Sequence, residues 1–278
     1  NYYKNHMIKQ AIIPLAGLGS RMLPLTSVIP KELMPINGKP NLEYILEECI
    51  AAGIKEFIFI ISKKKVSIKK YFFNDKFYES IIKKKKDKRL IQEIRKIKKF
   101  QKMIKFVYQN KPKGTGDAVL KCKKYIKNNF FLMLLPDDLI INQNCSKEMI
   151  RLHQKTKSSI IATKKVEKKT VSRWGILSIQ NMKKDYFEIT DVIEKPSIKK
   201  APSNFAIIGR YILSKNIFAE IRKLKPGQGK EVHITDAIKN LIKDGNKFYG
   251  NIFRGKYLDC GTLHGYINSG IEIFKEKK

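Results

Sequence analysis

Asp137 and Asp138 stand side by side after the apolar run FFLMLL (Phe130–Leu135) and Pro136. Two carboxylates at the end of a buried strand repel each other unless a cation neutralises them. Hard oxygen ligands beside a phosphate suit Mg2+, which keeps several waters and bridges phosphate oxygens. Taken alone, Asp-Asp is equally a polar strand end with solvated acids. Asp259, closing the segment KYLD before Cys260-Gly261-Thr262, offers a carboxylate at a second strand end and tips the reading toward a shared cation. A phosphate cradle is the matching requirement. The loop Ala16-Gly17-Leu18-Gly19-Ser20-Arg21 follows the apolar run Ala11–Leu15. Gly17 and Gly19 allow close backbone approach and positive φ, and successive N–H groups in such a loop form an anion-binding concavity. Arg21 adds a forked donor for phosphate oxygens. Lys31 follows ten residues on, in a stretch stiffened by Pro24, Pro30 and Pro35. A strand–loop junction with two surface cations fits the same residues, since short Gly patterns are weak signals.

Two further stretches carry recognition chemistry. Gln109 precedes KPKGTGDA, and its amide offers a donor and an acceptor that match the N3–H and O4 edge of uracil. Gly114 lets backbone come near a base plane. Glu194-Lys195-Pro196 pairs a carboxylate able to accept from vicinal hydroxyls with a cation for a phosphate; alone, it is equally a surface ion pair before a turn. No nucleophile constellation is present: Ser20 has no nearby His, and none of the four Cys has a base beside it. A reaction without a covalent enzyme intermediate fits this inventory.

The elements that must position these residues read as an α/β sheet. Ala11–Leu15, Glu56–Ser62, Lys105–Gln109 and Phe130–Leu135 are apolar enough for buried strands. Asn41–Gly53 has Leu42, Ile45, Leu46, Cys49 and Ile50 on one helical face. Strand, loop, helix, strand opens a doubly wound sheet, whose ligands sit at the carboxyl ends of the strands. The Gly loop, Gln109, the second Gly loop and Asp137/Asp138 all follow strands and are expected to cluster there. The second Gly loop is expected to lead into a helix over Asp117–Ile126, and the Lys-rich stretch 63–102 to form exposed helices and a loop without chemistry. Helices are expected near Ser146–Thr156, Lys215–Leu224 and from Thr235, and strands at Ser159–Val166, Gly175–Ile179, Tyr186–Glu194, Phe205–Leu213, Lys247–Phe253 and Lys256–Asp259. The tail from Leu263 reads as helical.

At 278 residues the chain can bury a sizeable core, and no repeat or linker divides it. We expect one domain over 1–278, with a nucleotide-binding half over about 8–140 and a sugar-phosphate half over about 141–278. The start, NYYKNHMIKQ, has no apolar h-region, no run reaches a membrane span, and the four scattered cysteines suit reduced thiols. These features lead to an expectation of a cytoplasmic protein with no membrane partner. The net charge of +33 raises nucleic-acid binding. Only eight of the 58 cations are Arg, and Ile and Asn are abundant too, so a solvated Lys-rich surface is the favoured reading and no specific nucleic-acid partner is expected.

The stretch AGLGSRMLP…IPKELMPI resembles the signature of the sugar-nucleotide pyrophosphorylases, in the wording of the bacterial UTP–glucose-1-phosphate uridylyltransferases. Motifs run in family order from Ile8 to about Ile271. The resemblance implies a Rossmann-like mixed, mostly parallel sheet flanked by helices, and formation of UDP-glucose and pyrophosphate from UTP and glucose 1-phosphate. It implies Mg2+ held by Asp137 and Asp259, with Asp138 assisting or contacting ribose, and catalytic cations at Arg21, Lys31 and Lys195. Nucleotide contacts fall on Ala16, Gly17, Gly19, Gln109 and Gly114, and sugar contacts on Gly175, Glu194 and Gly209. A homodimer or homotetramer is the inherited expectation. The chain departs from the family at Ser27, usually Lys; at Trp174, more often Tyr; and at Gly114-Thr115-Gly116-Asp117-Ala118, more often Gly-Leu-Gly-His-Ala. A thymidylyltransferase of the same fold is the nearest alternative, since thymine shares uracil's hydrogen-bonding edge. A basic nucleic-acid-binding protein is the alternative from another class.

Overall fold

Alternation inside the apolar runs builds a sheet covered on both faces. In strand β1 (Gln10–Pro14) Ala11 and Ile13 enter one core and Ile12 the other. The same split recurs down the sheet, because successive side chains of a strand point to opposite faces: Phe57, Phe59 and Ile61 oppose Ile58 and Ile60, and Leu132 and Leu134 oppose Phe131 and Met133. A strand buried on both sides needs this continuous apolar wording. The computed structural model describes residues 7–227 and 231–276.

In chain order, β1 is followed by the short β2 (Pro35–Ile36) and β3 (Lys39–Pro40), then helix α1 (Asn41–Ala51), β4 (Glu56–Ile61), α2 (Val66–Phe73), α3 (Asp75–Lys84), α4 (Lys88–Gln101) and β5 (Ile104–Tyr108). Next come α5 (Gly114–Leu120), β6 (Phe130–Leu134), β7 (Asp138–Ile141), α6 (Cys145–Thr156), β8 (Ser159–Lys165), β9 (Gly175–Gln180), β10 (Tyr186–Glu194) and β11 (Phe205–Ser214). The chain closes with α7 (Ile217–Lys223), α8 (Ile234–Lys243), β12 (Phe248–Ile252), β13 (Lys256–Asp259) and α9 (Leu263–Lys275). The nine-stranded sheet has the order β5-β4-β1-β6-β11-β8-β12-β10-β9. Its first four strands are parallel, β11 runs antiparallel to both β6 and β8, β8 and β12 are parallel, and β10 is antiparallel to its neighbours β12 and β9. The mixed sheet flanked by helices matches the expected class. No helix among the described residues is long and apolar enough to cross a membrane.

Two expectations are corrected, and one short strand was not anticipated. The second Gly loop is itself helical: α5 begins at Gly114 and ends at Leu120, before the residue anticipated as its end. The Lys-rich stretch is not uniformly exposed. Ile68 and Phe72 of α2, and Ile97 and Phe100 of α4, join the core on one face of the sheet, and Ile94 is buried too, while α3 buries no side chain. The lysines hide this stripe because they occupy the remaining helical positions. Finally β7, at four residues, is too short to stand out beside the Asp-Asp pair, yet it pairs with β13 in the register Asp138↔Asp259 to Ile141↔Lys256.

One buried ion pair fastens the turn between β6 and β7. Arg210, on β11, is fully buried, and its guanidinium lies 2.9 Å from Glu48 of α1. The same guanidinium donates to the carbonyls of Leu135, Gly209 and Asp138, so it clamps the backbone on both sides of Asp137. Glu48 also accepts from the backbone N–H and hydroxyl of Ser146. A buried guanidinium is tolerated only when its donors and charge are both met. Glu48→Ala leaves that charge unpaired, so the variant is expected to lose about 3–5 kcal/mol of stability, measured by denaturant unfolding against the wild type.

Candidate active site

Two cavities open at the carboxyl edge of the parallel strands and meet at Asp137. One, of about 390 Å3, is bounded by Ala16, Gly17, Lys31, Gln109, Gly114 and Asp137. The other, of about 740 Å3, is bounded by Arg21, Asp137, Gly175, Glu194, Lys195, Gly209 and Asp259. All the sequence-derived candidates except Gly19 therefore line one cavity or the other. Gly19 has φ 70°, a left-handed conformation, and an added Cβ would meet Thr26 at 3.1 Å. It shapes the turn rather than the wall. Gly17 leaves open space on the cavity side, with nothing within 4 Å of an added Cβ.

The pairing of β7 with β13 brings the two distant carboxylates together. Cys260 N–H donates to the Asp137 carbonyl at 2.7 Å. Gly261 leaves a hollow between them: a Cβ there would lie 2.7 Å from Asp137 Oδ2, 3.1 Å from Asp259 Oδ1 and 2.7 Å from Arg21 Nη2. Lys31 Nζ lies 2.6 Å from Asp137 Oδ2, and Arg21 Nη2 3.4 Å from it. Burial disfavours the Asp137 charge, but Lys31 and Arg21 outweigh it and hold the carboxyl below its ordinary pKa. Burial likewise opposes the Lys31 ammonium, and Asp137, then Glu32, more than offset it, so Lys31 stays charged.

The hard oxygen donors around the hollow have the chemistry of a divalent-cation site. Among the described residues no group of three or more His, Cys, Asp or Glu could hold a metal by itself. A pair of carboxylates beside a phosphate cradle is the donor set of an ion that completes its shell with waters and substrate oxygens. Asp138 is turned elsewhere. It accepts from Gly209 N–H at 3.0 Å and from the Tyr257 hydroxyl at 2.6 Å. Burial and the adjacent Asp137 charge push its pKa up to about 6. Gly209, expected as a sugar contact, lines the larger cavity and also holds Asp138: a Cβ there would fall 2.4 Å from Asp138 Oδ2 and 2.6 Å from Leu135 Cβ.

Gln109 is buried, and its Nε2 donates to Asp117 at 2.6 Å and to the Gly114 carbonyl at 3.2 Å. Asp117 thus orients the amide. Gly114 has φ 92°, and a Cβ would come within 2.5 Å of the Val232 carbonyl. In the larger cavity, Lys195 has φ 45°, a strained backbone for a Lys. Its N–H donates to the Trp174 carbonyl at 2.9 Å, continuing the β9–β10 register in which Gly175 faces Glu194. A Cβ on Gly175 would stand 3.3 Å from Glu194 Oε2.

Several contributors were not anticipated. Lys65, in the stretch expected to carry no chemistry, is buried with its Nζ 2.7 and 2.8 Å from the two oxygens of buried Glu32, so it anchors the turn that bears Lys31. Its only sequence signal is an unremarkable Lys-Lys-Lys. Glu231 borders both cavities, and Arg173 stands 4.0 Å from Asp259 at the larger one.

The profile of the nucleotidyl transferase family matches residues 10–276, and the chain belongs to that family. Among curated proteins it is 36% identical over 267 residues to UTP–glucose-1-phosphate uridylyltransferase 1 of Staphylococcus saprophyticus, covering 96% of this chain and 92% of that one. Among solved structures it superposes on a UDP-glucose pyrophosphorylase complexed with UDP-glucose with a TM-score of 0.86 and 35% identity, over 97% of this chain and 100% of the other. The UTP-bound UGPase of Acinetobacter baumannii gives a TM-score of 0.86 at 31% identity, over 96% and 93%.

Gly209→Ala drives a methyl into Asp138 and Leu135. The variant is expected to lose about 1–3 kcal/mol of stability and most of its turnover, read by thermal unfolding and steady-state rates.

Proposed function

We propose that this chain transfers the uridylyl group of UTP to glucose 1-phosphate, giving UDP-glucose and pyrophosphate. The observation that carries the reading is the meeting of the two cavities on Asp137, one with a Gly loop and a buried amide, the other with Glu194 and Lys195. The relatives named for this reaction, and the neighbours bound to UTP and to UDP-glucose, point the same way.

In this reading Gln109 and the Gly114 backbone take the uracil edge, and the Ala16–Ser20 loop receives the triphosphate. Glu194 accepts from glucose hydroxyls and Lys195 holds the sugar phosphate. A phosphate oxygen of glucose 1-phosphate attacks the α-phosphorus of UTP in line. The bond from that phosphorus to the bridging oxygen breaks, and pyrophosphate leaves with the electron pair. No proton needs to move and no enzyme nucleophile takes part, so the protein supplies alignment and charge. Arg21 and Lys31, already aimed at Asp137, offset the charge that grows on the departing pyrophosphate. Asp137 and Asp259 would hold a Mg2+ ion, which when bound would neutralise charge on the substrate phosphates.

Pyrophosphate release from UTP and glucose 1-phosphate, compared with dTTP, tests the assignment: release with UTP is expected, and release with dTTP alone overturns it. Chelation is expected to abolish turnover and added Mg2+ to restore it. Asp137→Asn is expected to lower kcat by at least about 100-fold with an unchanged circular dichroism spectrum.

A further inference from the structure

The larger cavity is rich in acid for a site that must admit a phosphate dianion. Asp137, Asp138, Glu194, Glu231 and Asp259 border it, against Arg21, Arg173 and Lys195 among the described residues. Arg21, which borders this cavity and not the other, is engaged with Asp137. Lys195 and Arg173 remain on the sugar side. Backbone pairing fixes them as neighbours, since Lys195 N–H donates to the carbonyl of Trp174, the residue after Arg173. Arg173 closes the short 3-10 segment Lys168–Arg173 and is not part of the packed sheet. Its side chain is 61% exposed, and its tie to Asp259 is a loose 4.0 Å. An exposed pair at that separation contributes little to stability, so the guanidinium can turn to a better partner without strain on the fold. A phosphate is such a partner, because the planar fork donates to two oxygens at once.

We propose that Arg173 binds the phosphate of the sugar phosphate, across from Lys195, and sets affinity for that substrate independently of the nucleotide; this rests on the uridylyltransferase reading above. Arg173 borders the sugar-side cavity and not the nucleotide-side one, so its contact is with the sugar phosphate and not with the base or ribose.

The test is Arg173→Gln and Arg173→Lys in the full chain, with steady-state kinetics in both substrates and calorimetric binding of UDP-glucose and UTP to the metal-free protein. Arg173→Gln is expected to raise KM for glucose 1-phosphate about 10- to 100-fold while KM for UTP stays within about twofold. It is expected to weaken UDP-glucose binding without weakening UTP binding, and Arg173→Lys to recover part of the loss. An unchanged KM for glucose 1-phosphate, or equal losses for both substrates, overturns the proposal while leaving the activity standing. A wild-type enzyme that releases no pyrophosphate from UTP and glucose 1-phosphate overturns both readings.

Discussion

The site depends on holding like charges close together. Asp137, Asp138 and Asp259 converge where β6 ends and β7 pairs with β13, and three carboxylates there would force the strands apart without compensation. Each is met differently. Asp137 is held by Lys31 and Arg21, Asp138 by a backbone N–H and a tyrosine hydroxyl, and Asp259 by the N–H of Gly261 and the nearby Arg173. Only Asp137 and Asp259 keep oxygens directed at the hollow above Gly261. Burial opposes the charge of both Asp137 and Asp138, so the charges beside them decide: Lys31 and Arg21 hold the Asp137 pKa down, whereas burial and the Asp137 charge raise that of Asp138 beyond what its neutral donors offset.

The cations are in turn fixed from below. Lys31 sits on a turn whose Glu32 is tied to Lys65, and Arg210 grips the carbonyls beside Asp137 while leaning on Glu48. Opposite charges thus alternate from the cleft into the interior. Breaking such a buried pair is costly because the remaining charge has no water to receive it. The arrangement suits a reaction in which protein groups must not reorganise as phosphate charge shifts.

Much of this was legible in the wording of the chain. Ala11–Leu15, Phe57–Ile61 and Phe130–Leu135 declare buried strands because their pattern is local, and the placement of Gln109 and Asp137 after strands follows from the general behaviour of open α/β sheets. Asp259 suggests itself as a partner for Asp137 because it too ends a strand, and the family resemblance makes the pair explicit, but no local pattern encodes the register between segments so far apart. Glu32 with Lys65, 33 residues on, and Glu48 with Arg210, 162 residues on, had no signature at all. A charged residue reads as solvent-facing until the fold supplies its partner. The helical start at Gly114 was missed because two glycines read as loop, whereas here Gly116 N–H and the Val232 carbonyl pair across the segments and leave no room for a larger residue.

That last contact has a wider consequence. The strip around Glu231–Ile234 is stitched to residues 113–116 through Val232 and the Thr115 hydroxyl, and it then runs into α8 beside the sugar cavity. The two substrate chambers therefore share a partition instead of having separate walls. A lineage, or an engineer, that reshapes this partition from the larger cavity also nudges the backbone lining the smaller one, so changes in what the two chambers admit are expected to drift together.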